Sequence, residues 1–286
     1  MAAITAAAVN ALRATTGVGM LDCKKALTET NGDVEAAIKL LRERGVAVAA
    51  KRASKEAKQG IVAAKASADG KTLALVEVNC ETDFVARNSD FVAFVDTVAD
   101  AAVANEKDVA EVMAEAITQK SATIGEKMVI RRSVRYTLEG CGLLASYIHM
   151  GGKVGVALEL GFGKAETAAL PEVVELANNL CLQVAAAAPR YLKREDVPEA
   201  EVDEEMKIQV AALKNDEKNA NKPENILQNI VKGRMGKFYG EICLAEQEYV
   251  KDVSGKQKVQ AVIDAAAKAA GDTIVVRRFT RYQLGA

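Results

Sequence analysis

The chain has 286 residues, half of them hydrophobic, and a formal net charge of −1 at pH 7. This length and composition predict a globular protein with more than one packed unit, and the balanced charge gives no general attraction to nucleic acid or anionic lipid. Five widely spaced cysteines without a CxxC pair argue against a disulfide framework and a zinc knuckle. No export signal or membrane span is expected, so a reducing cytoplasm fits best.

The first 44 residues predict three short helices, about Thr5 to Thr15, Met20 to Glu29 and Val34 to Glu43. Apolar residues recur at helical spacing and would close one small core: Val9, Leu12, Cys23, Leu27, Ala37, Ile38 and Leu41. The basic, alanine-rich segment AAKRASKEAKQ follows. It is either a solvated helical extension or linker, or an arm that binds RNA.

The middle of the chain contains an internal repeat. With an offset of 82 residues, GIVAAKASADGKTLALVE (60–77) aligns with GLLASYIHMGGKVGVALE (142–159). Each segment has two β-type runs joined at Asp69-Gly70 or Gly151-Gly152, dipeptides that supply the positive φ of a tight turn. Both segments are therefore predicted to be hairpins, and helical spacing of the apolar residues after each one predicts a helix there.

A closing strand is predicted for both copies, because GEKMVIRRSVRYTL (125–138) resembles GDTIVVRRFTRYQL (271–284). The offset here is 146 instead of 82, so the second copy carries 64 more residues. These extra residues are mostly helical in pattern, with a break near Asn221 to Pro223, and two antiparallel helices are the simplest arrangement. Their apolar faces (Met206, Val210 and Leu213; Ile226 and Ile230) would pack against each other and the parent domain, or against a second subunit.

The sequence contains no common catalytic fingerprint. HMGGKVGV lacks the first glycine and the Ser/Thr of a P-loop, so direct nucleotide binding is not expected. His149 is the only histidine, and a nucleophilic set of Cys80, Glu81 and His149 is the one enzymatic alternative. We expect a binding protein without a cofactor, not an enzyme.

The stretch CETDFVARN (80–88) places the large apolar ring of Phe84 among polar residues. Two interpretations are open. Phe84 either packs in the core at the start of the following helix or is exposed for a partner.

Three motifs resemble the bacterial translation elongation factor Ts family. They are TTGVGMLDCKKALTETNGDVEAAIKLLRERG (15–45), CETDFVARN (80–88) and the His149–Gly152 turn before KVGVALEL. The resemblance covers essentially the whole chain. It implies a guanine-nucleotide exchange factor that binds the GTPase elongation factor Tu in its GDP-bound and nucleotide-free forms and promotes GDP release.

The resemblance also implies an α+β fold with an N-terminal three-helix, UBA-like module, a duplicated core with antiparallel strands, and a helical-hairpin insertion in the second copy. The expected boundaries are 1–55 for the module and linker, 56–140 for the first copy, 141–188 plus 240–286 for the second copy, and 189–239 for the insertion. The insertion serves dimerisation in some family members, so a homodimer is one expectation for this chain.

The family's functional residues can be assigned to matching positions. The residues expected to dislodge Mg²⁺ from the partner are Thr82, Asp83, Phe84 and Val85. Further partner contacts are expected from Leu12, Met20, Leu21, His149, Gly151 and Gly152. The alternative function is an RNA- or ribosome-associated binding protein, resting on the basic segment around Lys51 to Lys58 and on the repeated Arg-Arg pairs.

Overall fold

A computed structural model describes residues 4–52, 54–215 and 222–286. The chain divides into two compact units. Unit 1 contains the chain up to Arg135 together with Ile148–Gly155 and Tyr282–Ala286, and unit 2 contains Tyr136–Tyr147 and Val156–Arg281. None of the helices in these described ranges is long and apolar enough to cross a membrane.

Unit 1 begins with three helices, which we call the head: α1 (Ala6–Thr16), α2 (Met20–Glu29) and α3 (Val34–Arg52). Their buried residues form one cluster: Val9, Leu12, Cys23, Ala26, Leu27, Ala37 and Leu41. The third helix continues nine residues beyond the predicted Glu43, because it tolerates Gly45 and meets no proline before Arg52. The basic segment is thus helical as far as Arg52, and its Ala53 lies outside the described residues.

The rest of unit 1 is built around a three-stranded sheet with the order β1-β2-β3. Its elements are β1 (Gln59–Ala66), β2 (Thr72–Cys80), α4 (Asp83–Ala86), α5 (Ser89–Ala104), α6 (Val109–Val112), α7 (Ala114–Ile124) and β3 (Met128–Thr137). The first hairpin is present as predicted, with β1 antiparallel to β2. The helix predicted after it is α5, whose apolar face packs on the sheet.

The second sheet has the order β4-β5-β6. The remaining elements are β4 (Gly142–His149), β5 (Val154–Phe162), a 3₁₀ turn (Ala165–Ala169), α8 (Pro171–Ala187), two short 3₁₀ turns (Arg194–Asp196 and Leu244–Glu246), α9 (Glu199–Lys214), α10 (Glu224–Ile242), α11 (Val259–Ala270) and β6 (Ile274–Gln283). The second predicted hairpin, its helix α8 and its closing strand β6 are present.

Helices α9 and α10 pack against each other through a small apolar cluster: Val210, Leu213, Leu227, Val231 and Met235. Ile230 packs against this cluster, whereas Ile226 is exposed, because Leu227, Val231 and Met235 recur every four residues and form the buried stripe of α10. Packing of Ile226 against a second subunit stays a prediction. The predicted break between the helices falls partly outside the described residues, which resume at Lys222.

Each sheet buries one glutamate on its second strand. Glu77 on β2 accepts a 2.7 Å hydrogen bond from Arg132 Nε, and Glu159 on β5 accepts one of the same length from Arg278 Nε. Burying a carboxylate is costly unless it is paired and hydrogen-bonded, and both carboxylates meet that requirement. The two arginines also lie over tyrosine rings, Arg132 over Tyr282 at 4.3 Å and Arg278 over Tyr136 at 4.2 Å.

Candidate functional site

The stretch predicted to contact a partner begins where β2 leaves the core of unit 1. All nine residues of β2 are buried, and the strand ends at Cys80. The Cys80 thiol donates to the Thr82 carbonyl at 3.2 Å, and burial raises the pKa of this thiol to about 12. A buried, protonated thiol is a poor nucleophile, so the geometry does not favour the enzymatic set of Cys80, Glu81 and His149.

Phe84 lies on the one-turn helix α4, and its ring points out of the fold. The side chain is 82% exposed. Thr82 caps the helix, since its hydroxyl accepts from the Val85 amide at 3.3 Å. On the other side of the helix, Ala86 is buried and Val85 packs against the core of unit 1. The exposed ring is therefore carried on a turn whose neighbouring residues are fixed in the core.

Two carboxylates connect the base of α4 to the segment that precedes β3. Glu126 accepts from the Thr82 amide at 3.0 Å and from the Thr82 hydroxyl at 2.7 Å. In the opposite direction, Glu81 accepts from the Lys127 amide at 2.6 Å and from Arg52 of α3 at 2.8 Å. The Lys127 amide, followed by the Arg52 guanidinium, lowers the pKa of the Glu81 carboxyl.

Asp83 occupies the first turn of α4, where a negative charge is favourable next to the helix N-terminus. Its carboxylate pairs with Arg87 at 3.1 Å, and both side chains are substantially exposed. Exposed ion pairs of this kind contribute little to stability. Asp83 can therefore exchange Arg87 for a donor on another molecule at little cost.

The head places its predicted contact residues differently. Met20 and Leu21, at the start of α2, are 50% and 75% exposed. Leu12 is only 1% exposed and belongs to the head's own core. Leu12 therefore supports the head from inside, and the accessible apolar surface is that of Met20 and Leu21.

The turn between β4 and β5 is fixed against the first hairpin within unit 1. The carbonyl of Gly152 accepts from the Val62 amide at 2.8 Å. A Cβ at Gly152, where φ is +92°, would lie 2.6 Å from Cγ2 of Ile61, whereas one at Gly151 would meet nothing within 4 Å. Gly152 thus allows the backbone of the turn to lie close to Ile61 and Val62 of β1. Gly151 and His149 are exposed.

An open depression of unit 1 brings part of the candidate site together. Thr82, Asp83 and Phe84 line it together with Lys153, which directly follows the Gly151-Gly152 turn. The head residues Leu12, Met20 and Leu21 are not among its lining residues.

Sequence reasoning missed two features of this region. Met150 at the tip of the turn is 73% exposed and has a positive φ of 49°, a conformation uncommon for a non-glycine residue. Glu126, which holds Thr82, was also missed. The repeat alignment pairs Glu126 with Asp272, but it gives no signal for the contact with Thr82.

Comparisons with known proteins agree on one family. The sequence model described as Elongation factor TS matches residues 81–286, more than half of the chain. Elongation factor Ts of Clostridium botulinum (strain Eklund 17B / Type B) is 44% identical over 294 residues, which cover 99% of this chain and 93% of that protein. Elongation factor Ts of Trichlorobacter lovleyi is 43% identical over 296 residues, with the same coverage. Elongation factor Ts of Desulfovibrio desulfuricans is 42% identical over 293 residues and is matched over the full length of both chains.

These matches define the class of protein as a translation elongation factor. More particularly, the chain belongs to the elongation factor Ts family. Its role is that of a nucleotide exchange factor for elongation factor Tu in translation elongation.

Proposed function

We propose that the chain releases GDP from elongation factor Tu by inserting Phe84 near the partner's Mg²⁺ site. The inserted segment, Thr82 to Val85, is called the wedge below. The main support for this proposal is the exposure of the Phe84 ring on a short helix that Thr82 caps and that Val85 and Ala86 hold against the core. Burying a phenylalanine side chain contributes about 1.5–3 kcal/mol. That free energy is available to stabilise a partner conformation in which the loops around the metal have moved.

A small displacement of the partner's loops around Mg²⁺ is enough to weaken GDP binding. Mg²⁺ demands near-ideal octahedral geometry, so shifting its loops weakens both metal and phosphate binding. Asp83 adds polar contacts that orient the ring, and Val85 holds the turn on the core. Linkage makes the effect reciprocal: the factor by which the chain weakens GDP binding equals the factor by which GDP weakens binding of the chain. The exchange needs no covalent step and no cofactor on this chain.

The head and the β4–β5 turn supply the other proposed contacts. Met20 and Leu21 present an exposed apolar surface that suits docking on the partner, and Leu12 belongs to the buried core of the head. His149 and Gly151 are exposed at a turn whose position is set by Gly152.

The remaining proposals concern organisation and setting. We propose that the head is a UBA-like module within 1–55 and that 56–140 and 141–188 plus 240–286 are two copies of one subdomain. Their support is the shared sequence pattern and the paired burial of Glu77 and Glu159. The insertion, 189–239, is proposed to serve self-association, since Ile226 leaves apolar surface exposed on α10. A cytoplasmic location follows from the role in translation.

The alternative of RNA or ribosome binding is weakened by one contact. Arg52, in the basic segment, is paired with Glu81 at 2.8 Å and so is already used within unit 1. If RNA were the main partner, its binding would show a steep dependence on salt concentration.

Stopped-flow fluorescence of labelled GDP on elongation factor Tu tests the wedge. The variant Phe84→Ala should slow stimulated release by about tenfold or more, through loss of one buried anchor. The variant Phe84→Leu keeps most of the apolar volume and should retain most of the rate. Both variants should melt at the wild-type temperature because the ring is exposed. Unchanged stimulation by Phe84→Ala would refute the proposal.

A further inference from the structure

The Thr82 hydroxyl takes part in two hydrogen bonds at once. It donates to Glu126 Oε1 at 2.7 Å and accepts from the Val85 amide at 3.3 Å. A hydroxyl has one hydrogen and two lone pairs, so a hydrogen committed to the carboxylate leaves a lone pair for the amide. Glu126 therefore orients the group that caps α4.

The cap matters because α4 cannot hold itself. The helix has four residues, and a single turn is unstable in isolation because helix nucleation is costly. Glu126 also accepts from the Thr82 amide at 3.0 Å, so both polar groups at the N-terminus of the turn depend on one carboxylate. The direction of the Phe84 ring is set by that turn.

We infer that Glu126 is a positioning residue for nucleotide exchange: it keeps the wedge in the orientation that enters the partner. This inference rests on the proposed function of Phe84. Without Glu126, only a fraction of the molecules would hold the Phe84 ring in the orientation that enters the partner. The maximal rate of GDP release would fall in proportion to that fraction. Docking through Met20 and Leu21 does not involve this contact, so the half-saturating concentration should change little.

The chain contains a matched control. Asp272, aligned with Glu126, accepts from the amides of Gly163 and Lys164 at 3.1 and 2.9 Å and from the Thr167 hydroxyl at 2.6 Å. It holds the loop after β5 as Glu126 holds the loop after β2. That loop lacks an aromatic residue, because Glu166 stands where the repeat alignment places Phe84.

The experiment compares Glu126→Ala and Asp272→Ala in stopped-flow GDP release from elongation factor Tu, alone and combined with Phe84→Ala. Glu126→Ala should lower the maximal release rate by about tenfold, with a half-saturating concentration within about threefold of wild type. Asp272→Ala should lower thermal stability comparably but leave the maximal rate within about twofold. In the Phe84→Ala background, Glu126→Ala should cause little further loss of the maximal release rate, because both changes prevent insertion of the Phe84 ring.

If Glu126→Ala folds poorly, Glu126→Gln keeps the side-chain shape and one acceptor oxygen and should give a smaller loss of rate. The change Thr82→Val removes the hydroxyl that Glu126 orients and should lower the maximal rate. Rates of Glu126→Ala equal to those of Asp272→Ala, with Phe84→Ala still slow, would overturn the positioning role and leave the wedge standing. A wild-type rate for Phe84→Ala would overturn the wedge itself.

Discussion

The loop after β2 and the loop after β5 have similar scaffolds but differ in what they expose. Each loop follows a buried strand and is held by a carboxylate from the segment before the closing strand, Glu126 in one and Asp272 in the other. The first loop forms α4 and exposes Phe84, while the second forms a 3₁₀ turn with Glu166 in that place. The comparison teaches that similar loop scaffolds can expose either an aromatic ring or a carboxylate, and the proposed exchange function belongs to the loop with the ring.

The largest effect on stability is expected at the feature that the two sheets share, the buried glutamate of the second strand. Glu77→Ala and Glu159→Ala should each lower the free energy of unfolding by about 3 kcal/mol, because each leaves arginines without their carboxylate. Urea denaturation checks this. Losses that differ by more than about 2 kcal/mol would show that the two clusters are not equivalent.

A smaller loss of stability is expected from substitutions in the two hairpin turns, and it should differ between them. Gly152→Ala should cost about 2–3 kcal/mol, because the alanine would have to adopt a positive φ and its Cβ would crowd Ile61. The aligned Gly70 has φ +68° and open space around it, so Gly70→Ala should cost about 1 kcal/mol from backbone strain alone. Thermal melts of the two variants measure the difference. Equal losses would mean that the turn at Gly152 is not fixed against β1.

The smallest effect is expected at Cys80, which lies beside the wedge but is buried. Cys80→Ser should leave exchange within about twofold, because a thiol with a pKa near 12 is protonated at neutral pH and only donates to Thr82. Loss of activity with partner binding retained would instead support the cysteine-dependent alternative.

Much of the fold could be predicted from local sequence pattern. The hairpins followed from alternating residues and turn dipeptides, and α5 and α8 followed from apolar residues at helical spacing. Helices α6 and α7 were not predicted. Within the helical insertion the buried pair on α10 is Leu227 and Val231, and Ile226 is exposed. The apolar pattern of the insertion alone did not separate packing within the insertion from packing against a second subunit.

The candidate site was less accessible to sequence reasoning. Composition alone could not decide whether Phe84 was buried, and only the structure shows its exposure. The contact between Thr82 and Glu126 joins residues 44 positions apart, so no local pattern indicates it. The burial of Leu12 agrees with the helical spacing that placed it in the core of the head, whereas the family resemblance had placed it at a partner contact.

The central claim is that Phe84 acts by displacing the partner's Mg²⁺, and metal dependence tests it most directly. Stimulated GDP release from elongation factor Tu should be measured with wild type and Phe84→Ala, first with Mg²⁺ and then after chelation. The account predicts a difference of about tenfold with Mg²⁺ that shrinks to about twofold or less after chelation, since no metal remains to be displaced. The account would be contradicted if wild type and Phe84→Ala differed by the same factor with and without Mg²⁺. It would also be contradicted if the two proteins gave equal rates in both conditions.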